Sequence, residues 1–164
     1  MANIKAYCIL FMVLGLAGPL AAKSYRQVFD REAFYKTLKQ GGVEDINSQL
    51  QVIEASGIKE KNAYSGVLLM KEAGLVKKPQ EKLHLFKQGR IQFETAFNAD
   101  TSNVEYHFLR LIIQEKAPKI VKYRAQLTQD SEFIKKHYAT LPPYVQHVVA
   151  DYSKTSSILH AEDF

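Results

Sequence analysis

Asn103-Val104-Glu105-Tyr106-His107-Phe108-Leu109-Arg110-Leu111-Ile112-Ile113-Gln114-Glu115-Lys116 is the stretch on which the reading of the fold turns. At the helical period Val104, Phe108, Leu111 and Ile112 share one side, while Tyr106, Leu109 and Ile113 fall on another. A helix that is apolar on two sides packs between neighbours rather than on a surface, so the segment from about Val104 to Lys116 is predicted to be central. The turn Asp100-Thr101-Ser102-Asn103 before it is rich in capping side chains, and Pro118 closes it.

Upstream of this segment, Pro79 suits the first turn of a long helix reaching about Asn98. Its apolar face carries Leu83, Phe86, Phe93 and Phe97, and Gly89 and Ala96 are small enough for a neighbouring helix to approach closely. Glycine inside a helix costs about 1 kcal/mol relative to alanine, so Gly89 points to packing. A third helix from about Lys59 to Ala73 carries Tyr64, Val67, Leu68 and Met70 and is predicted to stop at Gly74. Ile46, Leu50 and Ile53 mark a short second helix between Gly42 and Gly57. Tyr25, Val28, Phe29, Phe34, Tyr35 and Leu38 mark a first one from Ser24 to Gln40.

Downstream, 119–127 reads equally as helix or irregular chain. Thr128 or Asp130 is predicted to cap a sixth helix bearing Phe133, Ile134, His137 and Tyr138 and ended by Pro142-Pro143. Tyr144, Val145, Val148, Val149 and Tyr152 define a seventh, and residues 153–164, polar and mixed, are expected to fray. No period-2 run bounded by hairpin turns occurs, so the expectation is an all-α chain. It is an antiparallel helical-hairpin stack of about seven helices, following an N-terminal signal helix.

Gly89, Phe93, Ala96 and the Asp100-Thr101-Ser102-Asn103 turn resemble the second helix of a tetratricopeptide repeat, with Gly for the usual first alanine and Thr101 for the turn proline. Gly66 suits the first helix of such a unit but lies about eleven residues too early for an uninterrupted repeat. The repeat-like unit therefore spans about residues 60–115 with an extended connection. A longer stretch, Phe86 to Ile134, resembles a family of small exported bacterial helical proteins of unknown function. The residues that carry this likeness are Phe93, Ala96, Asn103 to Arg110, Gln114-Glu115-Lys116-Ala117-Pro118, Tyr123, Asp130 and Phe133-Ile134. Lys116 departs from the asparagine of that family's Gln-Glu-Asn-Ala-Pro ending. The resemblance implies a tetratricopeptide-like helical fold and export, and supplies no activity.

Residues 1–22 read as a secretory signal peptide: Lys5 alone is charged, Ala6 to Ala17 is apolar, and Gly18-Pro19-Leu20-Ala21-Ala22 leads to a cleavage site after Ala22. The apolar run is short against the ~20 residues of a membrane span. An uncleaved anchor is the alternative, because Leu20 stands where a small residue is wanted. Cleavage leaves residues 23–164 as a single helical domain and removes Cys8, so the mature chain has no disulfide and no thiol ligand or nucleophile. No Asn-x-Ser/Thr acceptor occurs, and a bacterial periplasmic or extracellular location is the simpler reading.

Loss of Lys5 takes the basic count from 22 to 21 against 17 acids, a formal charge of +4. No block of five or six like charges appears, which argues for solvated faces and against nucleic acid as a partner. Membrane contact is expected only through an uncleaved signal helix. No two of His84, His107, His137, His147 and His160 share the i, i+4 spacing of a metal pair, and there is no phosphate loop, nucleophile elbow or calcium loop. Neither a metal nor a cofactor is expected.

Arg110 and Gln114, one turn apart, are the most informative polar residues. They suit convergent donors to a carboxylate or peptide carbonyl, with Tyr106 and Tyr123 nearby as candidate binding residues. Alternatively, Arg110 pairs with Glu94, Glu105 or Asp130 and fixes how the helices pack, and the two tyrosines belong to the core. The functional expectation is a non-enzymatic adaptor or scaffold for a protein or peptide. A small-molecule binder or small enzyme with a pocket near Arg110, Gln114, Tyr123 and His137 is the alternative. Intact-mass measurement on protein from the native host should give a chain beginning at Lys23; a mass that retains residues 1–22 would support the uncleaved anchor.

Overall fold

The computed structural model describes residues 28–164. The expected signal peptide 1–22, the cleavage site at Ala22, Cys8 and the start of the expected first helix at Ser24 lie outside the described residues. Among the described residues there are seven α-helices and no strand: α1 (Arg31–Gln40), α2 (Val43–Ser56), α3 (Lys61–Leu75), α4 (Pro79–Ala99), α5 (Val104–Lys116), α6 (Leu127–His137) and α7 (Pro143–Ser153). Three short 3-10 turns, Lys119–Val121, Tyr138–Thr140 and Ala161–Asp163, join or follow them.

Local chemistry accounts for most boundaries. The Asp30 side chain accepts from the Glu32 N–H at 2.8 Å and caps α1, and the Asn103 side chain accepts from Tyr106 N at 3.3 Å at the start of α5. Gly57 ends α2 in the left-handed region at φ 64°, where a side chain would be strained. Pro79 opens α4, whose absent N–H would have no helical partner there anyway.

α5 is the centre of the molecule. Every residue from Val104 to Gln114 is buried, apolar and polar alike. α1 and α3 lie against one side of it, and α6 runs back along another. α3 and α4 form the most extensive helix pair, joined by the short connection 76–78. Their axes meet at two glycines: a Cβ built on Gly66 would stand 2.6 Å from the Gly89 carbonyl oxygen, and one on Gly89 would stand 2.5 Å from the Gly66 carbonyl oxygen. The two backbones touch, and the dispersion gained along so close a contact offsets the propensity that glycine gives up. Around this frame Phe34, Ile46, Ile53, Leu68, Phe93, Phe108, Leu111, Ile134, Val145 and Val149 fill one continuous core.

Four boundaries differ from the sequence reading, each for a physical reason. The described part of the first helix starts at Arg31, behind the Asp30 cap. α3 runs through Gly74 to Leu75, since helical geometry continues until Val76 turns extended. α6 begins at Leu127, and neither Thr128 nor Asp130 caps it; Asp130 is fully buried and drawn to Arg110 instead. α6 then ends at His137, before the prolines, in the 3-10 turn Tyr138–Thr140.

The C-terminal stretch expected to fray is held down. Glu115, at the end of α5, accepts from the hydroxyls of Tyr152 and Ser156 and from both the N–H and hydroxyl of Ser157. Burial opposes ionisation of Glu115, but these hydrogen bonds prevail and hold its carboxyl below the usual carboxylate range. Leu159 is fully buried, Lys135 pairs with Asp163 at 2.8 Å, and Phe164 stacks near Tyr138. A polar composition concealed these anchors because the partner carboxylate lies 42 positions away.

The glycine contact makes a paired prediction. Gly66→Ala meets backbone that cannot yield and should destabilise by about 2 kcal/mol or more, despite alanine's better propensity. Gly74→Ala, with nothing within 4 Å of the new methyl group, should stabilise by up to about 1 kcal/mol. Urea unfolding of both variants checks this, and a Gly66→Ala protein as stable as the parent would mean that the helices stand further apart.

Candidate functional site

Arg110 projects from α5 into the interior beside α6. Its Nε and Nη2 donate to the two carboxylate oxygens of Asp130 at 2.8 and 2.6 Å, a bidentate pair with both residues buried. Burial alone would lower the Arg110 pKa; the hydrogen bonds and charge of Asp130 overcome it and raise the value. The guanidinium lies 3.7 Å from the Phe97 ring centroid, so α4 covers its remaining face. His107, one turn earlier, places Nδ1 2.7 Å from Asp130 Oδ1 and Nε2 2.9 Å from the Thr101 carbonyl, and its ring stacks on Phe133. Asp130 thus ties α6 to two consecutive turns of α5.

The next turn of α5 repeats the arrangement with amides. Gln114 Nε2 donates to Gln126 Oε1 at 2.7 Å, and Gln114 Oε1 accepts from the Gln126 N–H at 3.2 Å, which fixes the entry into α6. Tyr123 donates its hydroxyl to Glu94 on α4, and Arg90 lies 4.7 Å from the centre of its ring. Burial, then the hydrogen bond and charge of Glu94, push the Tyr123 phenol far above its ordinary value. Tyr106 is buried with its ring edge-on to Phe93.

The four residues singled out in the sequence are therefore all interior. Arg110, Gln114 and Tyr123 share the α4–α5–α6 junction, while Tyr106 faces α4 from the other end of α5. Of the three acids considered as partners, Asp130 holds Arg110 closely, Glu94 stands 3.9 Å from Nη1, and Glu105 pairs elsewhere. Glu105 accepts from the hydroxyls of Tyr35 and Tyr64 at 3.0 and 3.1 Å and from Arg31 Nε at 3.3 Å, linking α5 to α1 and α3. Burial raises its pKa, although Arg31 and the two tyrosines act in the opposite direction. His137 lies against Phe133 rather than beside Asp130, and no group of three His, Cys, Asp or Glu among the described residues is placed to hold a metal ion.

An open groove lies on the other side of α5. It encloses about 650 Å³ between α1 and α7, with Leu38, Ile112 and Val148 among its apolar lining and Tyr35, Tyr144 and Tyr152 around it. Glu32, Lys36, Lys39, His147, Asp151 and Lys154 supply charge and hydrogen-bonding groups along the rim. Lys39 and Asp151 pair across it at 2.7 Å, a solvated contact that a ligand can exchange at small energetic cost. The apolar stripe of α7 marks a helix in the sequence but does not separate its core residues from its groove residues. Val145 and Val149 are fully buried, whereas Tyr144 is exposed and Val148 and Tyr152 are only partly covered. The signal was a stripe wider than one buried face requires.

No family model, curated protein or solved structure matches the chain.

The geometry at Asp130 predicts a structural cost. Asp130→Ala leaves a guanidinium buried without its counter-ion and should cost about 3–5 kcal/mol in urea unfolding. Arg110→Ala should cost somewhat less, since His107 still engages Asp130. An Arg110→Ala protein that unfolds like the parent would restore Arg110 as a candidate ligand-binding residue.

Proposed function

We propose that this chain is an exported, non-enzymatic helical adaptor that binds a protein or peptide segment in the α1–α7 groove. The observation that carries the reading is the groove itself: an open trough with an apolar floor, the exposed Tyr144 and the partly covered Val148 and Tyr152 along it, and a mixed-charge rim. Tyrosine offers a large, rigid contact area with a polar tip, and is enriched at protein interfaces. A flexible peptide would lay apolar side chains on Val148 and the Tyr144 ring, over a floor formed by the buried Leu38 and Ile112, while its backbone and charges met the rim.

The tetratricopeptide-like character of the chain belongs to the same proposal. The helical hairpin α3–α4, with Gly66 set against Gly89, supports it, as does the Ala96 and Asn103 register read from the sequence. Export and a periplasmic or extracellular location rest on the signal-like pattern of residues 1–22. The interior position of Arg110, Gln114 and Tyr123, each already bonded within the protein, favours the peripheral groove over a pocket at that junction as the binding surface.

The test begins with affinity capture from the envelope fraction of the native host, then measures the affinity of the purified captured protein for defined variants. Val148→Glu puts a carboxylate on the lining of the groove and should weaken binding tenfold or more, about 1.4 kcal/mol, with melting unchanged. Ile91→Glu, on the exposed face of α4, should bind like the parent. Failure of the parent to retain any exported protein or peptide, or equal binding by Val148→Glu, would sink the adaptor reading.

A further inference from the structure

The helix directions gather at one end of the bundle charges that the sequence scatters. α3 and α4 are antiparallel, and the tight turn 100–103 sends α5 back alongside α4. The C-terminal end of α3 leads through 76–78 into the start of α4, and the segment after α5 lies along α4, where Tyr123 meets Phe86, Arg90 and Glu94. Arg124 donates to the Glu115 and Ala117 carbonyls at 3.1 and 3.3 Å, and Phe86 meets Tyr123 edge-on at 5.9 Å, which pins that segment to α5 and α4. Lys71 near the end of α3 and Lys116 at the end of α5 are close enough that, after burial, the Lys116 charge is what lowers the Lys71 pKa.

This end presents Lys77, Lys78, Lys82, Lys119 and Lys122, all exposed and none in an ion pair among the described residues; Glu81 is the exposed acid among them. Among these lysines stand three uncovered aliphatic side chains: Leu75 at 45% exposure, Leu83 at 50% and Ile120 at 87%. Local folding does not ask for this arrangement. Lys78 is the N-cap of α4, where the helix dipole disfavours a cation, although Glu81 in the first turn complements it. Lys122 adopts φ 49°, a left-handed conformation that glycine or asparagine occupies more readily.

We propose that this end of the bundle rests on an anionic lipid surface, with the lysines at the phosphate level and Leu75, Leu83 and Ile120 entering the headgroup region. Compact, strongly hydrated ammonium groups suit diffuse attraction to a charged surface, and isolated aliphatic tips suit shallow insertion. Nucleic acid would be served better by exposed stacking aromatics, which this end does not display among the described residues, and by free arginine forks, whereas Arg124 is turned to the Glu115 and Ala117 carbonyls. The contact is peripheral: no helix among the described residues is long and apolar enough to cross a membrane. The inference goes beyond the groove reading and does not depend on it.

Sedimentation of the full chain with vesicles tests it. Vesicles containing phosphatidylglycerol are compared with vesicles of phosphatidylcholine alone, and every protein carries the same residues 1–27, so differences between variants report on this end of the bundle. The parent should prefer the anionic vesicles roughly tenfold or more, and the preference should shrink as salt is raised. Lys77→Gln/Lys78→Gln/Lys82→Gln should lose most of that preference, and Leu83→Ser/Ile120→Ser a few-fold of the binding, with circular dichroism melting unchanged in both. Val148→Glu, the groove variant, should bind vesicles like the parent, so failure here is distinguishable from failure of the adaptor reading. Equal binding to both vesicle types, or a triple-glutamine variant that binds like the parent, overturns the proposal. Tighter binding to single-stranded RNA than to the vesicles, unaffected by Leu83→Ser/Ile120→Ser, would assign the basic end to nucleic acid instead.

Discussion

A helix buried on every side cannot leave its polar residues to water, and α5 carries Glu105, His107, Arg110 and Gln114 into the interior. Each needs a partner there, because an unpaired buried charge or amide costs more than packing around it can recover. The partners come from different elements: Tyr35 of α1 and Tyr64 of α3 for Glu105, Asp130 of α6 for Arg110 and His107, and Gln126 for Gln114. Hydrophobic burial supplies the drive to surround α5, but it is not directional. The hydrogen bonds choose which face of each surrounding helix turns inward, and in that sense they specify the arrangement.

Glu115 extends the same logic to the end of the chain. At the last turn of α5 its carboxylate gathers Tyr152, Ser156 and Ser157 and so attaches α7 and the residues after it to the central helix. The α3–α4 hairpin is organised differently. Its specificity is steric, residing in the absence of a Cβ at Gly66 and Gly89 rather than in any bond. Two modes of specification thus meet at α5: polar recognition toward α1, α3 and α6, and a preformed glycine-tight pair presented as a unit.

What could be read from the sequence follows from this division. Among the described residues, periodicity marks each α-helix, because amphipathic spacing is a local property, and the double apolar face of α5 announces its central place. Of the hairpin glycines, Gly89 stands out in the sequence as a residue with no local reason to be in a helix, whereas Gly66 is legible only as the glycine of a repeat's first helix. The sequence places Asp130 both among the caps of α6 and among the partners of Arg110, because a cap and a buried counter-ion look alike in one dimension; only the approach of Arg110, 20 residues earlier, separates them. The anchored C terminus was hidden for the same reason, its stabilising carboxylate being distant in the chain. Arg110 was correctly linked to Asp130 as one option among three, and the choice required the third dimension. The groove went unread because α7 exposes part of a stripe that looks like core.

The saturation of the interior also constrains where recognition can occur. Around Arg110 the strongest donors are already bound to Asp130, and a ligand drawing on them would have to replace a bidentate buried pair, which is a large loss to recover. Surface groups carry no such debt. The Lys39–Asp151 contact at the groove is solvated and readily exchanged, and Lys77, Lys78 and Lys82 have no ion-pair partner among the described residues to give up. The functional surfaces are therefore expected where the fold has left its side chains uncommitted: a groove on one flank of α5 edged by the exposed Tyr144 and solvated charges, and a lysine-rich, aliphatic-tipped end of the bundle. Because the two surfaces use different residues and different chemistry, the proposed polypeptide contact in the groove and the proposed contact of the basic end with an anionic surface would not compete.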